Sequence, residues 1–519
     1  MKKTFGFLVV LLVTTSSCKN SFIDLVPQDS QSGASFYQTE TQFRQALNAT
    51  YQPLRDLLNN DFYTAEMRTD NTHYEYYEVN RGTAYQYKEN VADFTDGATN
   101  SYTNAVYFHC YKGISRANIV IERLPLAPDI SDEARKDIDG QAKFLRAFNY
   151  FRLVRYFGDV PLYLKETKVA EDAFLPRSSV ADVYKQIISD ATDALSELTP
   201  PTAFPQSGAV TKGAATMLLA EVYMTQTPRN YEEAARLLKT LPAMGYQLLP
   251  HYADVFSTAN KNSRESIFEV QYQQGDQGGQ QSNFIYQFLP RTADTQLITG
   301  VKTNNVTTGG WNTPADAMIA AYEANDSRLD ASIGVAEGTY NASNVFTISA
   351  NKSIINYTPA EGKIGVPYIK KYLNKQTNST PNNTDDNWPI YRYADALLML
   401  AEALNEQGLS QEALSYLNQV RDRAFGAGVA PIEETDPDKL KDLILHERRI
   451  ELAFENHRWF DLLRVGNAIE VMTAYGTALK QKYDYLTPNS YQVTASRLLY
   501  PIPQSERELN PDLTQNPGY

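Results

Sequence analysis

A chain of 519 residues, 42% of them hydrophobic, can bury a sizeable core, which excludes a disordered protein. Lys plus Arg number 48 against 61 Asp plus Glu, a formal charge of -13, and a body of that sign is repelled by nucleic acid and by anionic headgroups. Two cysteines supply no disulfide framework, and the five histidines, at 73, 109, 251, 446 and 457, carry no metal-ligand spacing.

The chain opens with Lys2 and Lys3, an apolar run over residues 5–13 and small residues over 14–17, ending at Cys18. That pattern predicts an export leader, and the run is far short of the ~20 residues a membrane-spanning helix needs. Cys18 stands where bacterial lipoprotein leaders place the cysteine that is acylated and becomes the new N-terminus. Residues 1–18 are therefore expected to be a lipoprotein signal, the alternative being an ordinary secretory leader with a cysteine at that place. Each buried methylene contributes ~0.8 kcal/mol, so stable anchoring takes at least two acyl chains, and lipid alone is the expected membrane attachment. Cys110 then lacks a partner and is expected to be a buried thiol. Residues 19–32, polar and containing Pro27, form a tether, and residues 33–519 one domain.

Helical periodicity begins at Ala34, with Phe36, Phe43, Leu47, Tyr51 and Leu54 on a common face, and breaks after Asp56. Further helices are predicted over 102–124, from Ser131 through the amphipathic stretch 141–157, and over 179–198; Gly158 and Pro161 close the second. Residues 213–241 and 393–424 have the spacings of tetratricopeptide hairpins, the first with a lengthened turn, the second turning at Gly408. Between them, residues 257–387 are rich in Gly, Asn, Thr, Ser and Gln, with a strand-like piece at 267–272 and a helix start at Thr313 and Pro314 running through 315–322. That composition suits loops carried on a rigid scaffold. A last helical block, 440–465, precedes a short tail. The fold expected is mainly α, a tetratricopeptide-like scaffold with a loop-rich, partly β region for ligand.

The candidate ligand contacts lie in residues 62–94. Tyr74 and Tyr76 alternate, as do Tyr85 and Tyr87, around Arg81 and Gly82, which predicts a hairpin with tyrosines on one face. Such rings stack on the apolar face of a sugar, while Asp70, Asn71, Glu75 and Arg81 offer hydrogen bonds to its hydroxyls; Tyr77 belongs to the same set. The alternative is a tyrosine ladder that packs the hairpin onto the scaffold. Trp311, approached through Gly309 and Gly310, and Tyr286, near the Gly/Gln-rich run 275–281, are further candidates, each against a packing role. Catalytic readings fail. His446 and Glu447 begin as a zinc-peptidase helix does, but Ile450 stands where the second histidine belongs, and Glu447, Arg448, Arg449 and Glu451 read as an ion-pair network.

Three blocks carry a family resemblance: AKFLRAFNYF at 142–151 with YFGDVPL at 156–162; ERRIELAF at 447–454 with Arg458, Trp459, Asp461 and Leu462; and the tail, YPIP at 500–503, NPDL at 510–513 and QNPGY at 515–519. Together with the leader they resemble the SusD/RagB family of outer-membrane lipoproteins. Asn456 stands where that family usually has Gly, and Val465 where an aromatic residue is frequent. The resemblance implies a non-catalytic, cell-surface binding protein without cofactor or metal. Such proteins pair with a SusC-like TonB-dependent barrel and hand it oligosaccharides or, in some members, peptides. An anchored glycoside hydrolase or peptidase is the alternative of another class.

Overall fold

The computed structural model describes residues 36–78, 81–275, 280–376 and 379–519. The leader, Cys18 and the whole tether lie outside the described residues, as does part of the run 275–281.

The N-terminal half is a stack of helices. Helix α1 (Glu40–Asp61) starts at Thr39, whose side chain accepts from Gln42 N while Gln42 bonds back to the cap, and it continues past the expected break into a π-helical turn, Phe62–Glu66. After α2 (Thr83–Ala92) come α3 (Ser101–Arg123), capped by Asn100, and α4 (Asp132–Phe157), capped by Ser131 and stopped at Gly158, where φ is 71°. Next are α5 (Val180–Glu197), α6 (Lys212–Thr225) and α7 (Tyr231–Leu238). α1 packs on α3, α3 on α4, and each later helix on its predecessor. Cys110, on α3, is buried in this stack and free, and burial raises its thiol pKa.

The second half resumes the stack with α8 (Tyr393–Asn405) and α9 (Ser410–Phe425), turning at Gly408 with φ 75°. α8 packs on both α7 and α10 (Pro437–Glu451), so the two predicted hairpins join into one solenoid-like run. The predicted block 440–465 is two helices, α10 and α11 (Arg458–Val465). The break between them puts Asn456 at φ 68°, the left-handed region that favours Gly or Asn. Helix α12 (Ala468–Lys482), absent from the sequence reading, follows.

Strands are few and short. β1 (Thr72–His73) pairs antiparallel with β3 (Thr313–Pro314), and β2 (Ser266–Val270) with β7 (Trp388–Arg392). β4 (Ile333–Tyr340) lies between β5 (Phe346–Ser353) and β6 (Ile364–Ile369). Two expectations are corrected here. Thr313 and Pro314 form a strand, followed only by a short helical turn, Asp316–Ile319. The tyrosine hairpin does not exist, because Tyr85 and Tyr87 lie on α2.

Two features tie the halves together. The tail runs back over the first half: Tyr500 N donates to Tyr156 O at 2.7 Å, Asn516 Nδ2 donates to Phe157 O at 2.8 Å, and Arg68 donates to Arg497 O at 2.7 Å. The other feature is a buried charge network around α10. Glu451 accepts from Arg392 at 2.6 Å, from Arg328 at 3.1 Å and from Arg423. Glu447 pairs with Arg328 and Arg421, and Glu455 with Arg392 and Lys371. Burial alone would raise the Glu451 carboxyl, yet Arg423, Arg392 and Arg328 together hold it well below the carboxylate range. The charged residues of α10 thus pair across elements rather than along their own helix.

Candidate ligand-binding site

Beyond the π-turn the chain runs extended through residues 72–78, anchored at β1, and carries successive side chains into different surroundings. Tyr74 is buried, and its hydroxyl donates to Asp93 Oδ2 at 3.0 Å. Tyr76, half-buried, stacks on Tyr485 with ring centroids 4.0 Å apart and planes 3° from parallel. Tyr485 stacks on Tyr483 at 5.2 Å, and His73 lies over Tyr483 at 5.5 Å. Burial, with a smaller contribution from Lys482, pushes His73 down to about 3. It is therefore neutral and joins Tyr485, at 2.9 Å, to Tyr491, at 3.2 Å.

These rings line a cleft of about 570 Å³ between the extended segment, β3, the β4–β6 edge and the end of α12. The volume is that of a small-ligand site. Tyr340, 41% exposed, is the most open ring of the cleft, and its hydroxyl donates to Glu75 Oε1 at 3.0 Å. Lys482 and Asp316 pair at 2.5 Å on its rim. Tyr76 has little free face, since Arg81 covers the ring at 4.2 Å and Tyr485 stacks at 4.0 Å. Aromatic surface for a sugar ring, with a carboxylate and an ammonium alongside for hydroxyls, is what this arrangement offers.

The other predicted contacts are dispersed. Asn71 is buried between Glu66 and Arg449, donating to one and accepting from the other at 2.9 Å each. Arg81 pairs with Glu89. Tyr286 is fully buried, its hydroxyl bonded to Gln376 at 2.9 Å. Trp311 is 0% exposed, packed at 5.7 Å from Tyr85 and 5.9 Å from Tyr63, so as placed it offers no face to a ligand. Tyr77, Tyr85 and Tyr87 are half-buried, away from the cleft lining. The sequence reading missed Tyr340, Tyr483 and Tyr485; the alternation of Tyr483 and Tyr485 was a signal, hidden in what read as a tail.

A helical-repeat scaffold with an aromatic cleft at its loop-rich edge is the architecture of a binding protein. The family profile described as "SusD family" matches residues 264–519, and that described as "Starch-binding associating with outer membrane" matches residues 21–224. The chain belongs to the SusD/RagB family. It is 29% identical to SusD-like protein P2 of Formosa agariphila over 100% of both chains, and 26% identical to SusD-like protein P25 of the same organism over 98% of both. A solved structure described as a laminarin binding SusD-like protein shares the fold, with a TM-score of 0.73 and 24% identity over 93% of this chain and 100% of the other.

Proposed function

We propose that this protein is a non-catalytic, outer-membrane glycan-binding lipoprotein that captures oligosaccharides in the tyrosine cleft and delivers them to a SusC-like TonB-dependent transporter. The cleft around Tyr340, Tyr483 and Tyr485 carries the reading. Family membership supports it, as does the laminarin binding described for a protein of the same fold. In this reading residues 1–18 are the signal ending at lipidated Cys18, residues 19–32 the tether, and residues 33–519 a single domain on the cell exterior. No helix among the described residues is long and apolar enough to cross a membrane.

Calorimetry of the purified mature protein against neutral and charged plant, microbial and host oligosaccharides tests the proposal. Silence across all of them sinks it, and binding of peptides instead marks the other branch of the family. Release of new reducing ends from a bound oligosaccharide would identify an enzyme. With a ligand in hand, Tyr340→Ala and Tyr483→Ala are each expected to weaken binding about 2- to 12-fold, from the ~0.5–1.5 kcal/mol of a lost ring contact. Their melting temperatures should stay near wild type, because both rings are open to the cleft.

A further inference from the structure

Across Glu75 from the cleft, Arg291 and Lys88 make no ion pair among the described residues. Arg291 donates its backbone N–H to Glu75 Oε2 at 3.0 Å, but its side chain turns elsewhere. The residue is 2% exposed, and none of its three guanidinium nitrogens has a hydrogen-bond partner. Rings surround it: Tyr85 at 4.6 Å, Tyr77 at 5.1 Å and Trp311 at 5.2 Å. Lys88, on α2, lies 4.3 Å from the same indole and 4.4 Å from Tyr63, and it makes no ion pair or hydrogen bond among the described residues. Trp311 Nε1, also buried, has no acceptor either.

Elsewhere this chain pairs its buried guanidinium groups. Arg68 binds Asp96, Arg146 binds Asp190, Arg152 binds Asp61, and Arg328, Arg392 and Arg448 each bind two or more carboxylates. Arg291 departs from that rule, and a second cation shares its indole. Cation–π contacts return ~0.5–2 kcal/mol each, against several kcal/mol for a desolvated ion. The nearby carboxylates are already engaged: Glu75 by Tyr340 and the Arg291 backbone, Glu89 by Arg81. A guanidinium and an amine with unsatisfied donors thus share one ring, an arrangement that an anion would satisfy.

We infer that Lys88 and Arg291, backed by the buried Trp311 ring, form a subsite for an anionic group on a sugar, a carboxylate or a sulfate ester, so that the captured glycan is acidic. The inference rests on the glycan-capture reading and specifies its ligand. A planar guanidinium and an ammonium supply donors that match an oxyanion, and Lys88, Tyr77 and Tyr85 of this cluster are only half-buried. Burial, with Arg291 beside it, pushes Lys88 down to about 7, and a bound anion would restore its proton.

The test compares three oligosaccharides of matched length on the mature protein by calorimetry: a neutral β-glucan, an oligogalacturonate and a sulfated galactan. One acidic probe is expected to bind about tenfold more tightly than the neutral one, the effect of a charge-assisted hydrogen bond. Lys88→Gln should erase that preference and Lys88→Arg restore it. Preference for the oligogalacturonate identifies a carboxylate, and preference for the galactan a sulfate. The inference is overturned if the neutral probe binds best or if Lys88→Gln leaves the preference intact. If none of the three binds, the capture reading is decided by the broader oligosaccharide set above, and the subsite is judged separately, on inorganic sulfate against chloride at equal ionic strength. A larger rise in melting temperature for wild type than for Lys88→Gln then upholds the subsite, and equal rises reject it.

Discussion

Glu451→Gln is expected to lower stability by about 3–5 kcal/mol, read as a shift in the midpoint of urea unfolding at pH 7. The amide keeps the shape of the carboxylate and removes the charge on which Arg392, Arg328 and Arg423 converge. Those guanidinium groups remain buried, so the loss is that of leaving cations uncompensated, which exceeds the worth of any one pair. The same group sets a pH dependence. Its folded pKa lies far below the ordinary value of about 4.3, so its contribution is complete above that value and is lost as pH falls through the acid range. Glu455 and Asp461, where burial opposes but arginines prevail, shift in the same direction and add to the loss. Burial pushes Glu66 and Asp93 up to about 7, so these two favour the folded state more at pH 5 than at pH 8. Glu451→Gln should therefore flatten the acid limb of the stability profile and leave the neutral limb as it was. An unchanged acid limb would reject the network as its source.

Trp311→Ala is the second large effect, a destabilisation of about 3–5 kcal/mol measured by thermal or denaturant unfolding. The indole is fully buried among Tyr63, Tyr74 and Tyr85, and it is the face that Lys88 and Arg291 share. Removing it opens a cavity and strips both cations of their nearest ring. Trp311→Phe, which keeps most of the volume, should cost much less. Wild-type stability in Trp311→Ala together with lost ligand affinity would overturn the packing account and return the indole to the ligand.

The helical scaffold was legible because its signals are local. In α4, for instance, Phe144, Phe148 and Phe151 recur at helical spacing between Ser131 and Gly158, and all three are buried. Residues 83–92 were not, because alternating Tyr85 and Tyr87 imitate a strand while packing against the π-turn and α3 makes the segment a helix. Gly309 and Gly310 misled in another way. A Cβ on Gly309 would sit 2.4 Å from Leu289 O, and Gly310, at φ 82°, donates to that same carbonyl at 2.7 Å. These glycines permit a close backbone approach that seals Trp311 inside, and do not mark a flexible loop. The cleft was the least legible part, since residues 73–76, 313–317, 340 and 475–485 meet only through tertiary packing.

The tail that crosses back over α4 also bears on when this protein can fold. Tyr500 and Asn516 close hydrogen bonds on Tyr156 and Phe157, more than 300 residues upstream, and Arg68 reaches Arg497. The first-half helices thus complete their core only when the last twenty residues arrive, a long-range closure of the kind that slows folding. If the chain is exported, as proposed above, the contacts that join its two ends close only after the last residues have crossed the membrane.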